Sequence, residues 1–290
     1  MNFPVIEVAP LMLALAHVLL GVLVLVIAKF LKGLLSPYRT DEEMTAKDNP
    51  AFGLAVAGYY LAVTAIYIGV VGAAPIPDDA GSLTAARAMG LNFGWAIGGV
   101  FALALSRWWM NLGLVHGMRC SNEIIVNRNV AAGAVECGVY LASGIVLAGA
   151  LREPGGSLLT TLVFFLLSQA VLLLFGRWYQ AWSGYGMAKE ICSGNVAAGA
   201  ALSLTLIALS LLMFKAASGE FLDWGVNLTF FAFDAIVGFG LLMLLRWVTD
   251  LALLPNARIA DEIVRDRNIN VGLLEGAIAV SVSALILFLF

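Results

Sequence analysis

The chain has 290 residues, of which 61% are hydrophobic and only 12% charged, and its net charge is −3. Soluble domains keep about a quarter of their residues charged, so a soluble enzyme or binding domain is excluded. So small a net charge gives no basis for a nucleic-acid partner.

The charges sit in short islands between eight apolar runs, at 8–31, 51–74, 88–110, 130–151, 158–177, 196–214, 221–247 and 270–290. Each is close to the roughly 20 residues that cross ~30 Å of hydrocarbon. The first run follows MNFPVIEVAP, which has no Lys or Arg, and no small-residue cleavage site comes after it. It therefore reads as a span and not as a cleavable signal. The expected fold is all-α: a polytopic membrane protein with eight transmembrane helices, residues 1–290 forming a single membrane domain. Thirteen of the sixteen Lys and Arg residues fall in loops after helices 1, 3, 5 and 7, the exceptions being Arg87, Arg152 and Lys215. The positive-inside rule then puts both termini on the non-cytoplasmic side of a plasma membrane.

Cys120 and Cys192 fall in predicted cytoplasmic loops and Cys137 inside helix 4. There is no C-x-x-C, and neither His17 nor His116 is spaced near a Cys, so no metal and no cofactor are expected.

The even-numbered helices open on one motif. NVAAG occurs at 129–133 and 195–199, NPAFG at 49–53 and NINVG at 268–272. All read N-x3-G, and a small residue follows four positions later: Ala57, Cys137, Ser203 and Gly276. A Glu stands five or six residues before each Asn: Glu43, Glu123, Glu190 and Glu262. Further back come Arg107-Trp108, Arg177-Trp178 and Arg246-Trp247, with Lys29-Phe30 in the first unit. The chain is thus four parallel two-helix repeats with a period of about 70 residues, roughly 8–74, 88–151, 158–215 and 221–290. Asn49, Asn129, Asn195 and Asn268 are expected N-caps, and Pro50 suits the first helical position. The Gly and the small residue lie on one face and permit close helix approach. A ring of capped helix N-termini at the cytoplasmic face could also attract an anion or a headgroup phosphate. Two crossings per unit give all units the same orientation, related by an axis along the membrane normal and not inverted. A pseudo-four-fold or pseudo-dimeric bundle of hairpins is the simplest arrangement.

Ionisable groups within the membrane usually face the bundle interior. Glu136 and Glu275 each follow their Asn by seven residues, ~10 Å into the helix. Units 1 and 3 carry Val56 and Leu202 there. Asp234 precedes Arg246 by 12 residues and His17 precedes Lys29 by 12, ~18 Å from the helix end. These four are candidates for an ion or proton path, or else interhelical hydrogen-bonding groups. Glu43, Glu123, Glu190 and Glu262, with Arg107, Arg177 and Arg246, are candidates for docking a cytoplasmic protein, or else solvated loop charge. No nucleophile, metal-protease or nucleotide motif is present, so the chain is not expected to be an enzyme.

The segments NEIIVNRNVAAGAVECGVYLASGIVLAGAL and KEICSGNVAAGAALSLTLIALSLL resemble the bacterial inner-membrane family known as domain of unknown function 350, whose hallmark is a polar Glu…Asn opening of a helix within a two-helix repeat. The resemblance covers most of the chain and is clearest in units 2 and 3. It implies a bacterial inner-membrane location but no activity and no catalytic residues. Family members often lie beside genes for phage-shock-protein-A-like and ATP-grasp proteins, which implies envelope stress or membrane maintenance. The expectation is a channel or ion-coupled transport unit in contact with lipid and open to homo-oligomerisation. The alternative is a non-transporting scaffold that recruits such a cytoplasmic partner.

Overall fold

The computed structural model describes residues 8–73, 75–77, 80–114, 120–152, 157–253 and 258–289. Ala74, His116, Arg119 and Phe290, which entered the sequence reading, lie outside them. The described residues contain eight helices long and apolar enough to cross a membrane and no strand. In chain order these are α1 (Val8–Leu35), α3 (Pro50–Ala73), α4 (Ser82–Gly113), α6 (Val130–Leu151), α7 (Leu158–Trp182), α9 (Val196–Ala217), α10 (Trp224–Val248) and α12 (Ile269–Leu289). Four six-residue helices join the members of each hairpin: α2 (Thr40–Thr45), α5 (Cys120–Ile125), α8 (Met187–Cys192) and α11 (Ile259–Val264). A π-helical turn, Thr249–Leu253, extends α10. The protein is a multi-pass membrane protein.

The even members of the hairpins, α3, α6, α9 and α12, pack side by side in that order as a row. The odd members form a second layer. Helix α4 lies on α3 and α6, α7 on α6 and α9, and α10 on α9 and α12, while α1 rests on α3 and α4. In α6 and α9, 78% of the most apolar window is buried, against 11% in α1.

Small residues dictate this order. In lipid, helices gain little by burying apolar surface against each other, so close backbone contact decides which pairs form. Each of Gly133, Gly199 and Gly272 stands four residues after its Asn. A methyl group added to any of them would collide with the backbone of Ala51, Ala131 or Ala197 on the preceding helix. Each of these alanines stands two residues after its own Asn. The contact recurs deeper, where Gly58 meets Cys137 and Gly138 meets Ser203.

Each inner helix therefore has two packing faces. One, at positions 2, 9 and 13 after the Asn, meets the following unit. The other, at positions 4, 8 and 15, meets the preceding unit. At 100° per residue the two faces are ~140° apart. Closing four helices into a ring needs ~90°. The expected four-fold or pseudo-dimeric bundle is therefore replaced by an open row, with α3 and α12 at opposite ends.

The turn before each even helix is also shared. Asp48, Arg128 and Arg267 adopt left-handed φ of 45°, 50° and 49°, and Gly194 takes that place in unit 3 at 81°. Outside glycine this conformation costs roughly 1–2 kcal/mol.

Gly133→Ala is expected to destabilise the protein by about 1–3 kcal/mol, because backbone must move to admit the methyl group. Gly53→Ala should leave stability unchanged, because an added Cβ there has nothing within 4 Å. Thermal unfolding of the two purified variants in detergent checks both outcomes.

Candidate functional site

Two sets of polar groups recur from unit to unit. The first lies at the ends of the even helices. Asn49, Asn129 and Asn195 cap their helices through Oδ1, which accepts from the backbone N–H of Phe52 (3.2 Å), Ala132 (3.2 Å) and Ala198 (3.4 Å). The amide nitrogen of the same side chain donates twice. One bond goes to the Glu of its own unit: Glu43 (3.1 Å), Glu123 (3.2 Å) or Glu190 (2.9 Å). The other goes to a main-chain carbonyl on the short helix of the following unit: Ile124 (2.9 Å), Ile191 (2.8 Å) or Ile263 (2.7 Å). Each isoleucine directly follows the Glu of its unit and is buried. Asn268 holds Glu262 at 2.9 Å and accepts from Asn270 N–H; among the described residues its amide meets no carbonyl of another unit.

The four loop acids read from the sequence as docking candidates are thus bonded to the Asn row. Glu43 is 1% exposed and also accepts from Lys47 at 2.6 Å. That bond holds its carboxyl below the usual carboxylate range, against the opposing effect of burial and with help from Asn49. The Tyr185 hydroxyl, beyond the end of α7, is pushed well up by burial.

The second set lies within the membrane. Arg107 of α4 forms an ion pair with Glu136 of α6, and Arg246 of α10 one with Glu275 of α12 at 3.0 Å. Both carboxylates are buried, and among the described residues the Oε2 atom of each has no hydrogen-bond partner. Tyr179 of α7 donates to Glu275 at 2.8 Å, and its ring lies 4.8 Å from the Arg246 guanidinium. Beside the other pair, Lys32 of α1 donates to the Tyr140 hydroxyl at 3.1 Å and sits 4.6 Å from the ring centres of Tyr59 and Tyr140. In units 1 and 3 no acid stands at this level. There Lys29 pairs with exposed Asp41 at 3.2 Å, and Arg177 lies on an exposed part of α7.

Asp234 and His17 belong to neither pair. Asp234 is partly exposed and meets Lys215 at 3.4 Å. His17 is half-buried, with Nδ1 3.4 Å from the Tyr67 hydroxyl, which itself donates to the His17 carbonyl at 2.8 Å. Glu136, Asp234 and Glu275 do not converge; each has its own cation. Sequence reasoning missed Lys32, Tyr140 and Tyr179. A lysine three residues after Lys29 was a weak signal, and tyrosines on apolar helices were none.

A family model described as Domain of Unknown Function (DUF350) matches residues 6–151 and again residues 155–289. Each match spans two hairpins, and the Arg–Glu pair falls in the second hairpin of each. Searches of the curated proteins and of the solved structures found no match.

Asn195→Ala removes a cap, worth about 0.5–2 kcal/mol, and strips a partner from a buried carbonyl, worth about 1–3 kcal/mol more. It should lower the melting temperature more than Asn268→Ala, which breaks no bond between units. Glu43 adds a pH dependence. Its carboxyl is held lower in the folded state than the ordinary value of 4.5, so its contribution is present above that pH and is lost as pH falls through the folded value. Thermal scans between pH 3 and 7 should show Glu43→Gln flatter than wild type on the acid side.

Proposed function

The chain belongs to the domain-of-unknown-function 350 family as two tandem copies, and from that premise we propose that it is a non-enzymatic, ion-coupled transport unit of the bacterial inner membrane. Both termini lie on the non-cytoplasmic side, and the ions are protons or small cations. One observation carries this reading: two Arg–Glu pairs occupy the same position in the two copies, each with a carboxylate oxygen left unpartnered.

A buried charge pair adds little to stability, and an apolar pair often replaces one without loss. Keeping an incompletely bonded pair in a membrane is costly and is the usual mark of an ion or proton path. Val56 and Leu202 show that the fold accommodates apolar residues at the same level. The free oxygen can take a proton or a cation. Either event weakens the hold of the acid on its arginine, so binding is coupled to movement of the odd helix that carries it. Asp234, paired with Lys215 near the opposite end of α9, stands apart from both pairs and is tested beside them. A role in envelope maintenance follows from the family's gene neighbourhoods. Docking of a cytoplasmic protein is the weaker reading, because the acids it would use are bonded to the Asn row.

Liposomes containing purified protein and a trapped pH or cation dye provide the test. Glu136→Gln and Glu275→Gln should each lower flux by about tenfold or more, equivalent to ~1.4 kcal/mol on the rate-limiting step. Removing one partner of a buried pair can also cost about 3–5 kcal/mol in stability. The double variant Arg107→Gln/Glu136→Gln avoids a lone charge and should fold yet remain inactive. Absence of flux in the wild type, or flux unchanged in Glu136→Gln, Glu275→Gln and Asp234→Asn alike, removes the proposal.

A further inference from the structure

The three contacts between successive units are copies of one interface, and among the described residues one half of it is unused at each edge of the row. At the α12 edge, Asn268 has an amide that bonds Glu262 but, among the described residues, no carbonyl of a following unit. An asparagine amide carries two donor hydrogens, and the other three asparagines use the second one across the unit boundary. At the α3 edge, Met44 occupies the position of Ile124, Ile191 and Ile263. It is 44% exposed, whereas the isoleucines are between 0% and 3% exposed.

The helix faces repeat this mismatch. Gly53 stands where Gly133, Gly199 and Gly272 grip the preceding helix, yet nothing lies within 4 Å of a Cβ placed on it. Below it Ala57, Thr64 and Ile68 are exposed, at the level where Cys137, Gly144 and Ala148 of α6 meet α3. On α12, Asn270, Ala277 and Ser281 are exposed at the positions by which the preceding even helices receive the next one. A cavity of about 280 Å³ opens at the α3 edge, lined by Met44, Phe52, Val56, Tyr60, Lys29 and Lys32. Helix α1 lies over this edge with most of its apolar surface uncovered. In the later units that place, below the odd helix and beside its even partner, is taken by the preceding even helix.

We infer that the occupant is a second copy of this chain, with α12 of one copy seated against α3 of the next and Asn268 bonded to the Met44 carbonyl. Small residues on both faces, Ala57 and Thr64 against Ala277 and Ser281, permit close helix approach. The contact joins two different surfaces, so it is heterologous: it continues until a ring closes or an open array forms, and no two-fold axis passes through the contact itself. A turn of ~40° per even helix would close the row after about nine helices, so a ring needs two or more copies. The assembly is independent of the transport reading.

Cysteine cross-linking in membranes tests it. In a background of Cys120→Ser, Cys137→Ala and Cys192→Ser, one tagged chain carries Ala57→Cys and a differently tagged chain carries Ala277→Cys. By analogy with Gly58 and Cys137, these positions face each other across the new contact. Oxidation with copper phenanthroline should link the two tags when the chains are co-expressed and give no homodimer from either alone. The pair Thr64→Cys and Ser281→Cys should behave in the same way. Gly53→Phe should lower the yield at least about tenfold, equivalent to ~1.4 kcal/mol of interface, without changing the melting temperature. Absence of the mixed dimer in both pairs, or a homodimer through Ala57→Cys alone, overturns the proposal. Native mass spectrometry of the wild type should show multiples of the chain mass; a monomer retaining phospholipid at this edge overturns it equally.

Discussion

One side-chain amide at each unit boundary ties each even helix to the unit that follows it. The asparagine that opens an even helix satisfies a free N–H of its own first turn, holds the acid of its own linker and bonds a carbonyl of the following linker. A helix terminus at a membrane surface has orphan backbone groups that need partners. Here those needs are met by the neighbouring unit, so that capping one helix also positions the next. The glycine four residues later then fixes how closely the two backbones approach. A hydrogen bond sets the level and a missing Cβ sets the spacing, three times in succession.

The odd helices carry less of the architecture and more of the chemistry. They lie on the row, and α1, α4 and α10 turn much of their surface outward. Arg107 and Arg246 reach inward only where the even helix offers a glutamate; where it offers Val56 or Leu202, the matching cation stays near the surface. Charge therefore alternates between hairpins and gives the chain a super-repeat of two hairpins, the same unit that the family match covers twice. The aromatic rings around each pair shield it from lipid while leaving one carboxylate oxygen without a partner.

Much of this was legible in the sequence. The eight spans follow from run length, and the Asn caps follow from the repeat and from Pro50. The equal depth of Glu136 and Glu275 was visible as a seven-residue offset. Their pairing with Arg107 and Arg246 was not, because those arginines read equally well as interfacial anchors with their tryptophans. Trp108 and Trp247 do face outward as such anchors would. The row itself was hidden for another reason. A repeat with a small-residue stripe says that helices approach closely, but the angle between the faces they use depends on alanines two residues after the Asn, which look like ordinary apolar filler. Lys29 matched the repeat by its aromatic neighbour, yet Lys32 is the residue that enters the interior.

Unit 3 reaches the same geometry with one residue fewer between its acid and its asparagine. Asn195 donates its backbone N–H to the Glu190 carbonyl at 3.0 Å, as Asn49 does to Glu43 at 3.1 Å. The shorter linker turns through Gly194 at φ 81°, a wider excursion than the 45–50° of Asp48, Arg128 and Arg267. Linker length and side-chain identity are therefore not independent variables in this scaffold. A missing residue that would otherwise throw an entire hairpin out of phase is absorbed at a single achiral residue.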